Sequence, residues 1–462
     1  MLFNSYEFMF IFLIPTVLLF RLLDIRFRVW FLIAASIIFY MQSELEHLII
    51  LFTSVALNYG YAKNIPEKHK KKILAAVILL NLLPLIYYKY TNFLQISHYS
   101  LVLPLAISFY TFQQIAFQVD MFRQKITLTY FKEYLFFVFF FPQLIAGPIV
   151  HYNDLISQIK KPSWAQFNEV YFNAGIFLFC TGLFKKVVFA DNMTSIVNQS
   201  FLNVSTLLSN YDAWMGIFAY SFQIYFDFSG YADMALGLAF LLGIKLPINF
   251  DSPYKAQNLI EFWKKWHITL SVFLKEHVYF TLGGSRVCLP RQLYNLVITM
   301  TICGIWHGAG LTFLLWGFLH GLFLAVLHLK NKLFPQGLRL QKQFSILLTF
   351  LVVTLLWVLF RAQTFEMALQ YYGALFDFRA FSVEGLKFTK WGVYACLTSR
   401  EFLLFCGLMV IWFFPNSMAF ITSMNDEPKV SLKHGFVAGI LLFVALKSMV
   451  ASPAQTFVYF NF

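Results

Sequence analysis

The chain has 462 residues, of which 59% are hydrophobic, 20% are aromatic and only 12% are charged. This composition excludes an ordinary soluble globular protein and indicates an integral membrane protein in contact with lipid. The formal net charge of +13 would suit a nucleic-acid ligand, but the basic residues lie in short clusters between apolar runs, where they orient helices and meet anionic headgroups. We therefore expect no nucleic-acid partner. The five cysteines form no CxxC pair and indicate neither a metal site nor a disulfide framework.

The apolar runs that follow one another along the chain predict membrane helices. They lie at about 6–20, 29–41, 48–61, 73–88, 101–118, 134–150, 170–190, 213–228, 231–244, 293–306, 309–328, 345–360, 402–415 and 436–451. Several are shorter than the roughly 20 residues that cover a hydrocarbon core, so we expect about 11 crossings together with re-entrant pieces. The first run lacks a basic leader and a cleavage site before Arg21, which predicts a retained span. The expected fold class is an all-α polytopic membrane protein with a single domain over residues 1–462.

Clusters of lysine and arginine between the runs predict the orientation, because cytoplasmic loops carry an excess of these residues. The residues assigned to the cytoplasm are Arg21, Arg26, Arg28, Lys63, Lys68, Lys70, Lys71, Lys72, Arg123, Lys125, Lys330, Lys332, Arg339, Lys342, Lys429 and Lys433. Both termini then lie on the outer side of the membrane. The basic segment 361–400 conflicts with this assignment, which places it outside.

The segment 251–291 is the least membrane-like part of the chain. Its aromatic residues Phe262, Trp263, Trp266 and Phe273 recur at helical spacing, while most of its charges fall elsewhere on the helix. This pattern predicts an interfacial or re-entrant helix on the cytoplasmic side.

His307 follows an apolar run, 293–306, that as a helix rises only about 21 Å and so ends inside the bilayer. Gly304, Gly308 and Gly310 permit a break there, and irregular backbone at membrane depth requires surrounding protein or a water-filled cavity. We therefore expect His307 to face an internal cavity, where a neutral imidazole can act as a general base. The alternative is a histidine that only bonds neighbouring helices.

Two further histidines are candidates for the same region. His320 lies 13 residues after His307, beside Gly317 and Gly321, so helix packing competes with a supporting role in the site. His267 lies 40 residues before His307 and can approach the same cavity if its helix re-enters the membrane. Its alternative is an ordinary interfacial histidine.

Carboxylates also occur among aromatic residues at membrane depth. Asp227 and Asp233 lie in the stretch YFDFSGYADMALG, and buried carboxylates there must pair with a cation or line water. Arg123, Arg286 and Arg361 are the expected partners. A structural ion pair and a place on a substrate pathway both remain open for these carboxylates.

Several ordered motifs resemble those of one known family, the membrane-bound O-acyltransferase superfamily. The resemblance starts from GIWHGAG around His307 and FWKKWHITLS around His267. Further matches are FPQLIAGPI (Phe141–Ile149), YFDFSGYADMALGLAFLLGI (Tyr225–Ile244), NFDSPY (Asn249–Tyr254), YFTLGGSR (Tyr279–Arg286) and WVLFRA (Trp357–Ala362). They are similar to the bacterial branch that O-acetylates alginate, peptidoglycan and related polysaccharides.

The resemblance implies His307 as the catalytic histidine and His267 as its upstream partner. It further implies a ring of helices around a funnel or tunnel in the bacterial inner membrane. No bound cofactor or metal is expected, and the donor is acetyl-CoA or another acetyl thioester that enters from the cytoplasm. Residues expected to bind substrate or support the catalytic groups are His320, Asp227, Tyr231, Trp263, Trp266, Arg286 and Trp306.

The C-terminal motif 457–462, FVYFNF, resembles an aromatic motif of the same bacterial branch, in which the tyrosine is proposed as an acyl acceptor. This resemblance assigns acceptance of the acetyl group to Tyr459; the alternative is an aromatic membrane anchor. A periplasmic SGNH-type acetyltransferase is the expected partner, because the chain has neither a sizeable soluble domain nor a GxSxG segment. The polysaccharide would then be reached indirectly.

Other functions remain open from the sequence. A transporter or flippase could use the histidines as a proton relay for an acyl carrier or lipid-linked sugar. The chain could also recruit an outer acetyltransferase without chemistry of its own, or acylate a lipid or a protein.

Overall fold

A computed structural model describes most of the chain, and the regular elements of the described part are helices. The described residues are 1–42, 44–64, 70–91, 93, 102–127, 130–202, 204, 208–335, 341–377, 400–421, 428–451 and 455–458. The all-α fold class is confirmed for these residues. Tyr459 and the rest of the C-terminal motif after Val458 lie outside them.

The first helices follow the predicted apolar runs. After a π-helical turn, Glu7–Leu13, they are α1 (Ile14–Leu22), α2 (Ile25–Tyr40), α3 (Leu45–Lys63), α4 (Lys70–Tyr90), α5 (Ile107–Phe122), α6 (Phe131–Phe139), α7 (Phe141–Leu144) and α8 (Tyr152–Ile159). A 3-10 turn, Pro162–Ala165, precedes α9 (Glu169–Phe184), which continues through the π-helical segment Lys185–Ala190 into α10 (Asp191–Leu202).

The later helices carry His307 and His320 and flank His267. They are α11 (Asn210–Leu241), α12 (Leu259–Lys265), α13 (Ile268–Leu274), α14 (Leu289–His307), α15 (Leu311–Leu333), α16 (Lys342–Arg361), α17 (Phe365–Phe376), α18 (Arg400–Phe413), α19 (Ser417–Ile421) and α20 (Leu432–Ala451). A 3-10 turn, Pro253–Lys255, precedes α12, and a π-helical turn, Lys275–Tyr279, follows α13.

The residues group into two compact units by their internal contacts. The first comprises Met1–Leu183, Tyr231–Ile248 and Ile421–Phe443. The second comprises Phe184–Gly230, Asn249–Phe420 and Val444–Phe462. The second unit contains the three candidate histidines, Asp227 and Val458.

Five helical stretches of the described chain are long and apolar enough to cross a membrane, judged by length and composition. They are Lys70–Tyr90, Glu169–Leu202, Leu311–Leu333, Lys342–Arg361 and Leu432–Ala451. These helices agree with the expected multi-pass membrane protein.

Aromatic packing and paired amides hold the first unit together. Phe39 packs against Phe8 and Phe141, with ring centroids 5.7 Å apart in both pairs. Asn58 of α3 and Asn81 of α4 exchange two hydrogen bonds, 2.8 and 2.9 Å long. Pairing of this kind satisfies amides that would be costly to bury alone.

Candidate functional site

His307 is the last residue of α14. The helix ends there because Gly308 continues with extended backbone, and α15 begins three residues later at Leu311. The break predicted from the glycine-rich stretch is confirmed. It brings the histidine to the tight connection between two antiparallel helices.

Glycines bring α14 and α15 into close contact. A Cβ atom on Gly304 would overlap the carbonyl oxygen of Phe313, and one on Gly317 would overlap that of Met300. Only glycine therefore allows the two backbones to approach this closely. The indole of Trp316 on α15 then packs against the ring of His307, with the centroids 5.3 Å apart.

Aromatic rings enclose the His307 imidazole, which is 4% exposed. Its ring centroid lies 4.7 Å from that of Trp306 and 5.1 Å from that of Phe360. The sequence predicts that His307 faces a cavity. In the structure, Phe360 packs on the imidazole and itself lines a neighbouring polar cavity, whereas His307 is not among the lining residues of that cavity.

His267 lies in a break between two short helices, where the sequence pattern predicts one helix. It adopts a left-handed conformation with φ +43°, which ends α12 and starts α13 in a new direction. The period of the aromatic residues gives no sign of this break, because it continues in register across both helices.

The NFDSPY segment holds the break in place. Asn249 accepts hydrogen bonds at its carbonyl oxygen from the Ile268 N–H, 3.0 Å, and at Oδ1 from the Thr269 hydroxyl, 2.7 Å. On the other side of the break, the Asp251 N–H donates to the Lys265 carbonyl over 3.0 Å. A motif identified only by resemblance therefore has a structural task, which is to orient His267.

The His267 side chain is fully buried, and neither ring nitrogen has a hydrogen-bond partner among the described residues. It lies outside the helices long enough to cross a membrane, and burial lowers the pKa of its imidazole to about 3, so the ring is neutral. Its centroid is 4.7 Å from that of Phe228 and 6.5 Å from that of Trp306. Trp306 therefore contacts both His267 and His307, and the structure brings these two candidates together.

His320 belongs to the same aromatic cluster but has a partner of its own. The indole nitrogen of Trp263 donates to Nδ1 of His320 over 3.2 Å. Trp316 lies between the two histidines of α14 and α15, 5.3 Å from His307 and 4.8 Å from His320 by ring centroids. Trp266 packs 5.1 Å from Trp357 within this cluster.

Asp227 pairs with a lysine instead of the expected arginines. Its Oδ1 lies 2.7 Å from Nζ of Lys186, which also lies 2.6 Å from Oδ1 of Asp191. The other carboxylate oxygen of Asp227, Oδ2, accepts a hydrogen bond of 2.8 Å from the backbone N–H of Val458. Sequence reasoning missed Lys186, although a lysine inside the apolar run 170–190 is the kind of buried cation that marks an intramembrane partner.

The proposed arginine partners of Asp227 have other surroundings. Arg361 donates to Oδ1 of Asn198 over 2.9 Å and lies over the ring of Phe201. Arg286 is exposed, after a turn formed by glycines with positive φ. Asp227 and Arg286, predicted together as supporting residues, are therefore not an ion pair.

Tyr231 lies on α11, as Asp227 does, but it belongs to the first unit. Its ring stacks on that of Phe3, with the centroids 4.7 Å apart. Its predicted role in substrate binding stays a prediction.

A polar cavity of about 490 Å³ lies beside the cluster in the second unit. It is lined by Lys186, Asp191, Thr194, Asn198, Tyr220, Gln223, Ala309, Gly310, Thr312, Phe313, Phe360, Arg361, Ala362, Gln363, Gln455, Thr456 and Val458. The cavity thus contacts both the loop after His307 and the segment that precedes Tyr459. Within the described chain, no group of three or more His, Cys, Asp or Glu residues could hold a metal ion.

Comparison with known proteins gives independent findings. A family model described as MBOAT, membrane-bound O-acyltransferase family, matches residues 122–369. The peptidoglycan O-acetyltransferase of Helicobacter pylori is 36% identical, over 94% of this chain and 91% of the relative. The probable alginate O-acetylase AlgI of Pseudomonas aeruginosa is 34% identical, over 84% of this chain and 77% of the relative. The teichoic acid D-alanyltransferase of Bacillus subtilis is 25% identical, over 68% and 84% respectively.

Proposed function

Because this chain belongs to the membrane-bound O-acyltransferase family and is therefore an acyltransferase, we propose that it passes an acetyl group across the bacterial inner membrane to an extracytoplasmic polysaccharide. The donor is a cytoplasmic acetyl thioester, acetyl-CoA. The names of the relatives from Helicobacter pylori and Pseudomonas aeruginosa support O-acetylation of a polysaccharide such as peptidoglycan or alginate. Family membership favours this activity over a transporter or a scaffold.

The proposed reaction starts with His307 and Tyr459. A phenol, with a pKa of about 10, is a poor nucleophile until it is deprotonated. The His307 imidazole removes the phenol proton as the oxygen attacks the thioester carbonyl. The new C–O bond forms, the C–S bond breaks, and the proton passes from the imidazolium to the leaving thiolate. The products are acetyl-tyrosine and free coenzyme A.

His267 has a different task from His307 in this proposal. His267 orients the thioester or stabilises its developing oxyanion, for which a buried neutral N–H is suited. Its ring nitrogens have no hydrogen-bond partner among the described residues, and such a group is costly to bury unless a ligand uses it. This supports a role for His267 in binding.

The second transfer takes place outside the membrane. An SGNH-type partner takes the acetyl group from Tyr459 onto its own nucleophile and then passes it to a sugar hydroxyl, which regenerates the tyrosine. This scheme requires the C-terminus on the outer side, as the positive-inside count predicts. It also requires a funnel within a ring of about 11 crossings, in which donor and tyrosine meet.

One observation carries the proposal. The ring of Phe457, two residues before Tyr459, lies 5.4 Å from that of Phe228, which in turn lies 4.7 Å from that of His267. The C-terminal segment thus reaches the edge of the cluster that contains His267, Trp306 and His307. This contact supports delivery of the tyrosine to the histidines.

The test uses membrane vesicles and radioactive acetyl-CoA. The parent should transfer label to the C-terminal peptide, whereas His307→Ala should lose about 10² to 10⁴ of the rate and Tyr459→Phe should take up no label. His328→Ala is the matched control, because Nδ1 of this histidine of α15 pairs with the Leu324 carbonyl of the same helix over 2.8 Å. Label on the peptide of the Tyr459→Phe variant, or normal transfer by His307→Ala, would overturn the scheme.

A further inference from the structure

We propose that Lys186, Asp191 and Asp227 form an anchor that binds the backbone of residues 455–458 and thereby sets the register of the acceptor Tyr459. The inference rests on the proposed function and adds positioning residues to it. It assigns to Asp227 a role that the sequence left open between a structural ion pair and a substrate pathway.

The anchor recognises backbone groups of the C-terminal segment one after another. Asp191 accepts from the backbone N–H of Gln455. Nζ of Lys186 donates to the carbonyl oxygen of Thr456 over 3.3 Å, and Oδ2 of Asp227 accepts from the N–H of Val458 over 2.8 Å. These main-chain contacts hold the segment in place, because a shift by one residue would carry the donating N–H groups away from Asp191 and Asp227. The ring of Phe457, 5.4 Å from that of Phe228, adds the side-chain contact that distinguishes this residue from its neighbours.

The three charged side chains are almost completely enclosed. The exposed fractions are 4% for Lys186, 8% for Asp191 and 1% for Asp227. Burying such groups is costly unless each is paired and hydrogen-bonded. One lysine faces two carboxylates here, so the ion pairs alone leave a carboxylate in excess. Two backbone N–H donors of the C-terminal segment supply the additional hydrogen bonds, and the anchor is complete only with that segment in place.

Asp227 and Phe228 are neighbours on α11 and hold the segment in two ways. Asp227 binds the backbone of Val458, and Phe228 packs on the side chain of Phe457 and on His267. The anchored register therefore places the segment one aromatic ring from the histidine. Tyr459 follows Val458 directly in the chain, so the last anchored residue adjoins the proposed acceptor.

The first experiment measures amide hydrogen exchange of the C-terminal peptide by mass spectrometry. Asp227→Leu removes the acceptor of the Val458 N–H, whereas Asp227→Asn keeps one carbonyl oxygen that can accept from this N–H but loses the charge and the second oxygen, which faces Lys186. Both variants leave Lys186 paired with Asp191. We expect exchange at Val458 to accelerate at least about tenfold in Asp227→Leu, with a smaller effect in Asp227→Asn. Unchanged exchange of peptides from α14 and α15 serves as the control for folding.

The second experiment removes the same hydrogen bond from the other side. Val458→Pro lacks the N–H donor, and Val458→Ala keeps it while it also shortens the side chain. Acetyl transfer by Val458→Pro should fall about 100-fold below that of Val458→Ala, in kcat and not in the KM for acetyl-CoA. Adding Asp227→Leu to Val458→Pro should lower the rate by a smaller factor than Asp227→Leu does in the parent, because both substitutions remove the bond between Asp227 and Val458, while Asp227→Leu also removes the ion pair with Lys186.

The outcomes separate this inference from the proposed function. Unchanged exchange at Val458 in a folded Asp227→Leu variant would overturn the anchor, as would equal activity of the Val458→Pro and Val458→Ala variants while Tyr459→Phe is inactive. If Tyr459→Phe is fully active, the acceptor scheme fails. In that case the role of the anchor in positioning Tyr459 is rejected as well, and the exchange rates alone decide whether the anchor binds the segment.

Discussion

The indole N–H of Trp263 on α12 donates a hydrogen bond of 3.2 Å to Nδ1 of His320 on α15. An acceptor at Nδ1 means that the neutral ring carries its proton on Nε2. The contact joins the segment around His267 to the helix that packs against His307. It favours a structural role for His320, in agreement with the packing alternative left open by the sequence.

Trp263→Phe tests this role. Phenylalanine keeps an aromatic ring and removes the donor, so a buried Nδ1 loses its partner. We expect the variant to lose about 1–3 kcal/mol of stability, measured as a lower melting temperature in detergent. The catalytic rate per folded molecule should stay close to that of the parent. A rate loss comparable to that of His307→Ala would instead indicate direct participation in the chemistry.

Asn249 should control the position of His267 without reaching the substrate. Asn249→Leu removes the Oδ1 acceptor used by the Thr269 hydroxyl, and Asn249→Asp retains an oxygen at that place. A displacement of about 1 Å at a catalytic group costs about 10²-fold in rate. We therefore expect a large fall in kcat for the leucine variant and a smaller one for the aspartate variant, measured with labelled acetyl-CoA. Equal rates for the two variants would contradict this role.

Adding a single methyl group at the glycine contact between α14 and α15 should destabilise the protein. Gly317→Ala brings a Cβ atom into the backbone of α14 and should cost about 1–3 kcal/mol, with displacement of His307. Gly373→Ala is the matched control, because Gly373 of α17 has open space around the position of a Cβ. There the same change should stabilise the helix by about 0.5–1 kcal/mol. Thermal unfolding of both variants distinguishes the contact from a general effect of alanine.

Trp306 should act as the shared support of the two catalytic candidates. Its indole contacts both His267 and His307. Trp306→Phe keeps a flat ring between them, whereas Trp306→Leu does not. We expect kcat to fall about tenfold further in the leucine variant than in the phenylalanine variant. If the two variants had the same kcat, the planar ring would have no such role.

Local patterns were sufficient for some features of the site. The apolar run before His307 and the glycines around it predicted where α14 ends, because helix length and glycine placement act within one segment. The same patterns could not reveal the break at His267. There, backbone groups of Asn249 and Asp251 pair across the break, and these contacts connect residues that no period relates.

The partner of Asp227 shows the same limit more sharply. At membrane depth this carboxylate must pair with a cation or line water, and the sequence offers three arginines as partners without distinguishing among them. The choice of Lys186 depends on the packing of the π-helical segment Lys185–Ala190 against α11 within the second unit. The contact between Asp227 and Val458 joins residues 231 positions apart, and no pattern of neighbouring residues indicates it.

The sequence by itself determined the helical membrane class, the end of α14 at His307 and the family, because hydrophobicity, glycine and ordered motifs are properties of neighbouring residues. The tertiary structure decided which buried polar groups meet. A buried charge or amide without a partner is costly wherever it lies. The folded chain therefore pairs Lys186 with Asp227, and Asp227 with the backbone before Tyr459, although these residues are far apart in the sequence.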